Sequence, residues 1–199
     1  MRTTTIHTIC SLAVGAALLA GCQSSSTTNT PTQDWFEGGP AKPATAETLE
    51  MTSRVLAGKG NTQQAGFVIE RMYRDYPDHL GTYTAGAEVL LIEGRNKEAV
   101  EWLERGLKRF PDNAVLRNDR GMCHLLAADL PAATADFEAA YAADPGDADY
   151  VANLALAKAL AGDTDGARAL WSRVLIPEDV EHNLKEAVAA QGKFKRPGT

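Results

Sequence analysis

Small and large apolar positions recur along residues 46–177 with a fixed period of 34. One series of small residues runs Ser53, Ala87, Gly121 and Ala155, and a second runs Ala65, Ala99, Ala133 and Ala167. Bulky apolar residues keep the same interval at Ile69, Leu103, Phe137 and Trp171, followed by Met72, Gly106, Ala140 and Val174. Pro77, Pro111 and Pro145 share that spacing, in the contexts DYPD, RFPD and DPGD. Each proline follows a helix-like run, and proline pushes the residue before it out of helical geometry, so it marks the end of a helix. Gly60, Gly94 and Gly162 stand midway, where a first helix must stop and the chain turn. The pattern therefore predicts pairs of antiparallel helices, one pair per period.

With proline at position 32, the periods begin at Ala46, Leu80, Ala114 and Ala148. The small residues then occupy positions 8 and 20, which lets paired helices approach closely, and position 24 fills the space beside them. This pattern resembles the tetratricopeptide repeat (TPR), a helix-turn-helix unit of 34 residues, over residues 46–177. The resemblance implies an all-α superhelix of four repeats, 46–79, 80–113, 114–147 and 148–177. Repeat 1 fits least well, with Thr52 and Ser53 at positions 7 and 8, and repeat 4 has Pro177 at position 30, which predicts a shortened last turn. Beyond it, residues 178–191 place Val180, Leu184, Ala187 and Val188 at helical spacing, predicting an amphipathic helix that caps the stack.

In tetratricopeptide proteins the first helices line a concave groove through positions 2, 5, 9, 12 and 13. Carried over, the resemblance implies a groove of Gly81, Thr84, Glu88, Leu91 and Ile92, then Val115, Asn118, Met122, Leu125 and Leu126, then Asp149, Ala152, Leu156, Ala159 and Leu160. The surface so formed is mainly apolar, with Glu88, Asn118 and Asp149 as exceptions, and suits an extended peptide or a partner helix. The alternative for positions 12 and 13 is that their leucines are core between adjacent repeats.

The N-terminal 45 residues have a different composition. Arg2 precedes an apolar run from Ile9 to Ala20, too short for a membrane span and suited to a signal peptide over residues 1–21. Leu19, Ala20, Gly21 and Cys22 then resemble the lipobox of bacterial lipoproteins, which implies acylation of Cys22. Acyl chains contribute about 0.8 kcal/mol per buried methylene, and durable anchoring needs more than one chain, a need that triacylation meets. Gln23 at the next position implies sorting to the outer membrane, facing the periplasm. Residues 22–45 are rich in Ser, Thr, Gly and Pro and predict a flexible tether reaching roughly 25 to 30 Å. Trp35 and Phe36 are out of place in it and either cover the first repeat or form a docking motif. At the other end, residues 192–199 carry Lys193, Lys195 and Arg196 and predict a basic, solvated tail.

Without residues 1–21 the chain keeps 19 basic and 26 acidic residues, a net charge of −7, which argues against nucleic acid as a partner. Cys123 is then its only thiol besides Cys22, so no internal disulfide is expected. The richest cluster of reactive side chains is RNDRGMCH, residues 117–124. In the repeat register it lies along one first helix, so its residues fan around a cylinder. Arg120 takes position 7, where the repeat consensus has leucine, and position 23 of the next helix is Asp136, which predicts an ion pair between them. No HExxH, CxxC, GxSxG or phosphate-loop pattern occurs, so no enzyme activity, metal or cofactor is expected.

These features predict a lipid-anchored scaffold that binds other proteins. In overall plan the chain resembles lipoproteins of the Tad and type IV pilus systems, with NLALAKALAGDTDGA at 153–167 similar to the Tad members. That resemblance implies secretin or pilus components as partners. The alternatives are an adaptor for cell-wall hydrolases or envelope biogenesis complexes, and a small-molecule binder or enzyme.

Overall fold

The computed structural model describes residues 43–194. The predicted leader at 1–21, Cys22, Trp35, Phe36, most of the tether and the last five residues of the tail lie outside that range. Nine α-helices follow one another among the described residues: α1 (Ala46–Gly58), α2 (Thr62–Asp75), α3 (Gly81–Ile92), α4 (Asn96–Arg109), α5 (Ala114–Leu126), α6 (Leu130–Ala143), α7 (Ala148–Ala161), α8 (Thr164–Trp171) and α9 (Pro177–Ala190). A short 3₁₀ turn, Gln191–Lys193, follows α9.

Helix starts are set locally by side chains that accept the first unpaired amides. Asn113 accepts from the Leu116 amide at 3.0 Å, Asp129 from Ala132 at 3.2 Å and Asp163 from Gly166 at 2.9 Å. Asp147 accepts from both Asp149 and Tyr150. The turns within repeats 1, 2 and 4 pass through a left-handed glycine, at Gly60, Gly94 and Gly162. The equivalent residue of repeat 3 is Ala128, at φ 62°, the one non-glycine residue with positive φ among those described.

Packing follows the period of 34. Positions 8, 20 and 24 are buried in all four repeats, and position 27 is buried at Met72, Gly106 and Ala140. Val174 is half-buried instead, because α8 stops at Trp171 after eight residues while α2, α4 and α6 each run for 14. Pro177 does not end α8; it opens α9, where its missing N–H costs no helical hydrogen bond. Helix α9 lies on α7 and α8 and buries Val180, Leu184 and Ala187 against them. Val188, read from sequence as part of that stripe, is exposed, since its neighbour Ala187 takes the inward direction.

Each first helix touches the next, α1 on α3, α3 on α5 and α5 on α7, and each second helix packs against the first helix of the following repeat. Successive second helices lack such a contact. The row of first helices is thus the tighter layer, and it forms the inner face.

Candidate functional site: the inner face of the first helices

On a helix, residues four apart share a face, so positions 5 and 9 of successive first helices make two parallel rows along the inner face. Position 5 is Glu50, Thr84, Asn118 and Ala152; position 9 is Arg54, Glu88, Met122 and Leu156. The predicted groove residues Thr84, Glu88, Leu91, Asn118, Met122, Ala152 and Leu156 are all half-buried, the state of side chains that line a surface without being core. Asp149 is exposed in the first turn of α7, and Val115, Ile92 and Leu126 are exposed as well.

Leu125 is not part of that surface. It is only 8% exposed and packs with Phe137 and Leu154 between adjacent repeats, and Ala159 and Leu160 are buried in the same cluster. Position 12 points at the neighbouring repeat in the second half of the stack, and there the core alternative holds.

The N-terminal half of the face is more polar than the sequence reading expected, because repeat 1 contributes charge. Arg54 Nη1 donates to Glu88 Oε2 at 2.9 Å, and its Nη2 reaches Thr84 Oγ1 at 3.4 Å. Glu50 lies 3.3 Å from Arg54 and 2.7 Å from His79 Nε2. Asn153 Nδ2 donates to Asn118 Oδ1 at 2.8 Å, carrying the ladder into repeat 4. Asp119 joins the same surface: burial pushes its carboxyl up to about 6, opposed by a hydrogen bond from Asn118 and the charge of Arg54 and aided by Glu88. Glu50, Arg54, Asp119 and Asn153 were missed by carrying over positions only from repeats 2 to 4. The signal was present for Arg54, which stands 34 residues before Glu88.

The face is therefore graded. Glu50, Arg54, Glu88 and Asp119 make its first half charged with an excess of carboxylates, while Met122, Ala152 and Leu156 make its second half apolar. A separate cleft of about 410 Å³ opens on the other side of the stack between α2 and α4, with Phe67, Gly86, Val89 and Trp102 among its walls.

The RNDRGMCH segment falls on α5 and splits between environments. The structure brings Arg120 and Asp136 together in a two-pronged pair, Nε to Oδ2 at 2.8 Å and Nη2 to Oδ1 at 2.7 Å. These hydrogen bonds to Asp136 hold the Arg120 guanidinium above its usual range. His124 Nε2 stands 3.9 Å from the same carboxylate. Cys123 faces the opposite way, fully buried, and burial pushes its thiol up to about 12, with the Asp119 charge adding to the effect. Such a thiol stays protonated and unreactive at neutral pH. No group of three or more His, Cys, Asp or Glu placed to hold a metal ion occurs among the described residues, and no helix there is long and apolar enough to cross a membrane.

Helix pairs of period 34, stacked so that first helices form an inner row, define an all-α tetratricopeptide-repeat superhelix, a protein-protein interaction scaffold. Solved structures share it. TTC0263, a thermophilic TPR protein of Thermus thermophilus, superposes with a TM-score of 0.64 at 20% identity over 74% of this chain and 84% of that one. PilF of Pseudomonas aeruginosa gives 0.61 at 16% identity over 77% and 78%. YrrB, a TPR protein with an unusual peptide-binding site, gives 0.53 at 21% over 75% of each chain. At these identities the likeness speaks to the fold alone. No protein-family model matches the sequence, and no curated protein matches it.

Proposed function

We propose that the inner face binds an extended segment or helix of a partner protein, and that the chain does so at the periplasmic side of the outer membrane, anchored by lipid on Cys22. The observation that carries the binding reading is the continuous strip from Glu50 and Arg54 to Leu156, exposed at Arg54 and half-buried beyond it, which no other described element covers. Its grading selects a partner with cationic or amide donors at one end, meeting Glu50, Glu88 and Asp119, and apolar side chains at the other, meeting Met122 and Leu156. The lipobox-like Leu19 to Cys22 and the apolar run before it support the anchor.

The partner we favour is a component of a pilus or secretion machine, such as a secretin. Two points support it: the resemblance of the sequence plan to pilus-assembly lipoproteins, and the presence of PilF among the similar folds. A photo-cross-linker at position 118, introduced in cells of the native organism, should capture such a component from membranes. Repeated capture of cell-wall hydrolases in its place would favour the adaptor reading and overturn the pilus one. Cys22→Ser should release the protein from membranes, and unchanged membrane fractionation would refute the anchor.

A further inference from the structure

The two ends of the stack are finished differently. At positions 6 and 10 of the first helix, repeats 2 to 4 carry Ala85, Asp119, Asn153, Val89, Cys123 and Ala157, all buried or half-buried because they pack against the preceding repeat. The same positions in α1 are Met51 and Val55, exposed at 69% and 49%. Positions 3 and 7 repeat the contrast, with Thr48 and Thr52 exposed where Thr82, Gly86 and Leu154 are buried. Helix α1 thus presents an inter-repeat face without a described repeat on it. Glu47, Thr48, Met51, Thr52, Val55 and Leu56 enclose a shallow hollow there of about 460 Å³. The opposite end is covered by the chain's own α9.

We propose that Trp35 and Phe36 cover this face, forming an N-terminal cap from the chain's own tether. The chain enters α1 at a fixed place, since Tyr76 donates from its hydroxyl to the Ala44 carbonyl at 2.7 Å and Ala44 packs on the core. Pro43 lies seven residues after Phe36, a reach of up to about 23 Å at roughly 3.3 Å per residue. Met51 and Val55 lie five and nine residues into the helix from Ala46, about 8 and 14 Å along its axis. Gly38, Gly39 and Pro40 lie between the aromatics and that entry point and permit a reversal. A second copy is a poorer occupant: Met51, Val55 and Leu56 are the hollow's only apolar walls, far short of the roughly 1,200 Å² that a stable interface buries. Two adjacent aromatic side chains, each burying about 150 to 250 Å², match a hollow of this size.

The cap does not depend on the anchor. Taken together with it, however, the cap leaves only residues 23–34 free, a tether of roughly 20 Å that would hold the inner face near the membrane.

The test uses the mature chain from residue 22, with Cys22→Ser for solubility and methyl-labelled methionine. Aromatic rings over Met51 should shift its methyl resonance upfield, and the Trp35→Ala, Phe36→Ala double variant should remove that shift while the other methionine signals stay in place. The shift should be independent of dilution. A Met51 signal that is the same in both proteins would overturn the cap, and so would a shift that vanishes on dilution, the mark of a second copy. Met51→Asp should free Trp35, seen as increased quenching of its fluorescence; unchanged quenching would also count against the cap.

Discussion

At the scale of single residues, two charged side chains inside the stack behave oppositely. Asp136 is 5% exposed and fully matched by Arg120, so removing one partner strands the other. Asp136→Ala should cost about 3 kcal/mol in urea melts, whereas Arg120→Leu combined with Asp136→Ala should cost far less, since desolvating the pair consumes most of its attraction. Asp119 has no such guanidinium in contact, and its carboxyl is raised to about 6 with Arg54 and Glu88 within electrostatic range. The folded protein then holds a proton up to about pH 6 that the unfolded chain releases near 4, so the folded state binds more protons in that window. Stability should fall as pH rises from about 4 to about 6, and Asp119→Asn should flatten that slope and add on the order of 2 kcal/mol at pH 7. A melt series showing the wild type gaining stability across that window would contradict this. The same titration bears on the groove, because a cationic partner loses one of its carboxylates as pH drops below about 6.

At the scale of helices, the interval of 34 carried most of what was legible. Small residues at positions 8 and 20 and bulky ones at 24 could be read because both helices of a repeat need them in every copy, whatever the repeat touches outside itself. Residues whose environment depends on a neighbouring repeat were not legible in that way. Leu125 and Leu91 share position 12, yet one is core and the other lines the inner face, a difference that arises from how the next first helix is seated. Arg54 went unread since repeat 1 matched the pattern least, although its pairing with Glu88 is set by the same interval. Val174 and Pro177 depart because α8 is cut short, which one proline two positions early signals only in direction. Ala128 is the converse case, a residue that the period marks as wrong for its place. Its left-handed backbone costs about 1 to 2 kcal/mol that glycine avoids, offset by about 0.4 to 1 kcal/mol for glycine's greater unfolded freedom. Ala128→Gly should therefore stabilise the protein by about 0.5 to 1 kcal/mol, and a lowered melting temperature would show that the turn between α5 and α6 is not as described.

At the scale of the molecule, the buried apolar residues form two clusters and not one. The first runs from Leu49 through Ile69, Tyr83 and Leu103 to Leu116 and Cys123, and the second from Leu125 and Phe137 through Leu154 and Trp171 to Leu184. They meet in α5, where the Arg120 to Asp136 pair stands in place of the leucine that the repeat consensus puts at position 7. Stability in a stacked repeat is the sum of each unit and its contacts with its neighbours, so a polar layer at one junction weakens the coupling across it. Damage on one side should then be felt mainly on that side. Leu103 is fully buried in the first cluster, and Leu103→Ala should cost about 3 kcal/mol. In native-state hydrogen exchange that loss should speed the amides of α1 to α4 far more than those of α7 to α9. The double change Arg120→Leu, Asp136→Ala should fuse the clusters, and Leu103→Ala made in that background should then accelerate exchange in both halves alike. Equal acceleration in the wild-type background would mean that the ion pair transmits packing as well as a leucine does, and that the division in the core has no energetic consequence.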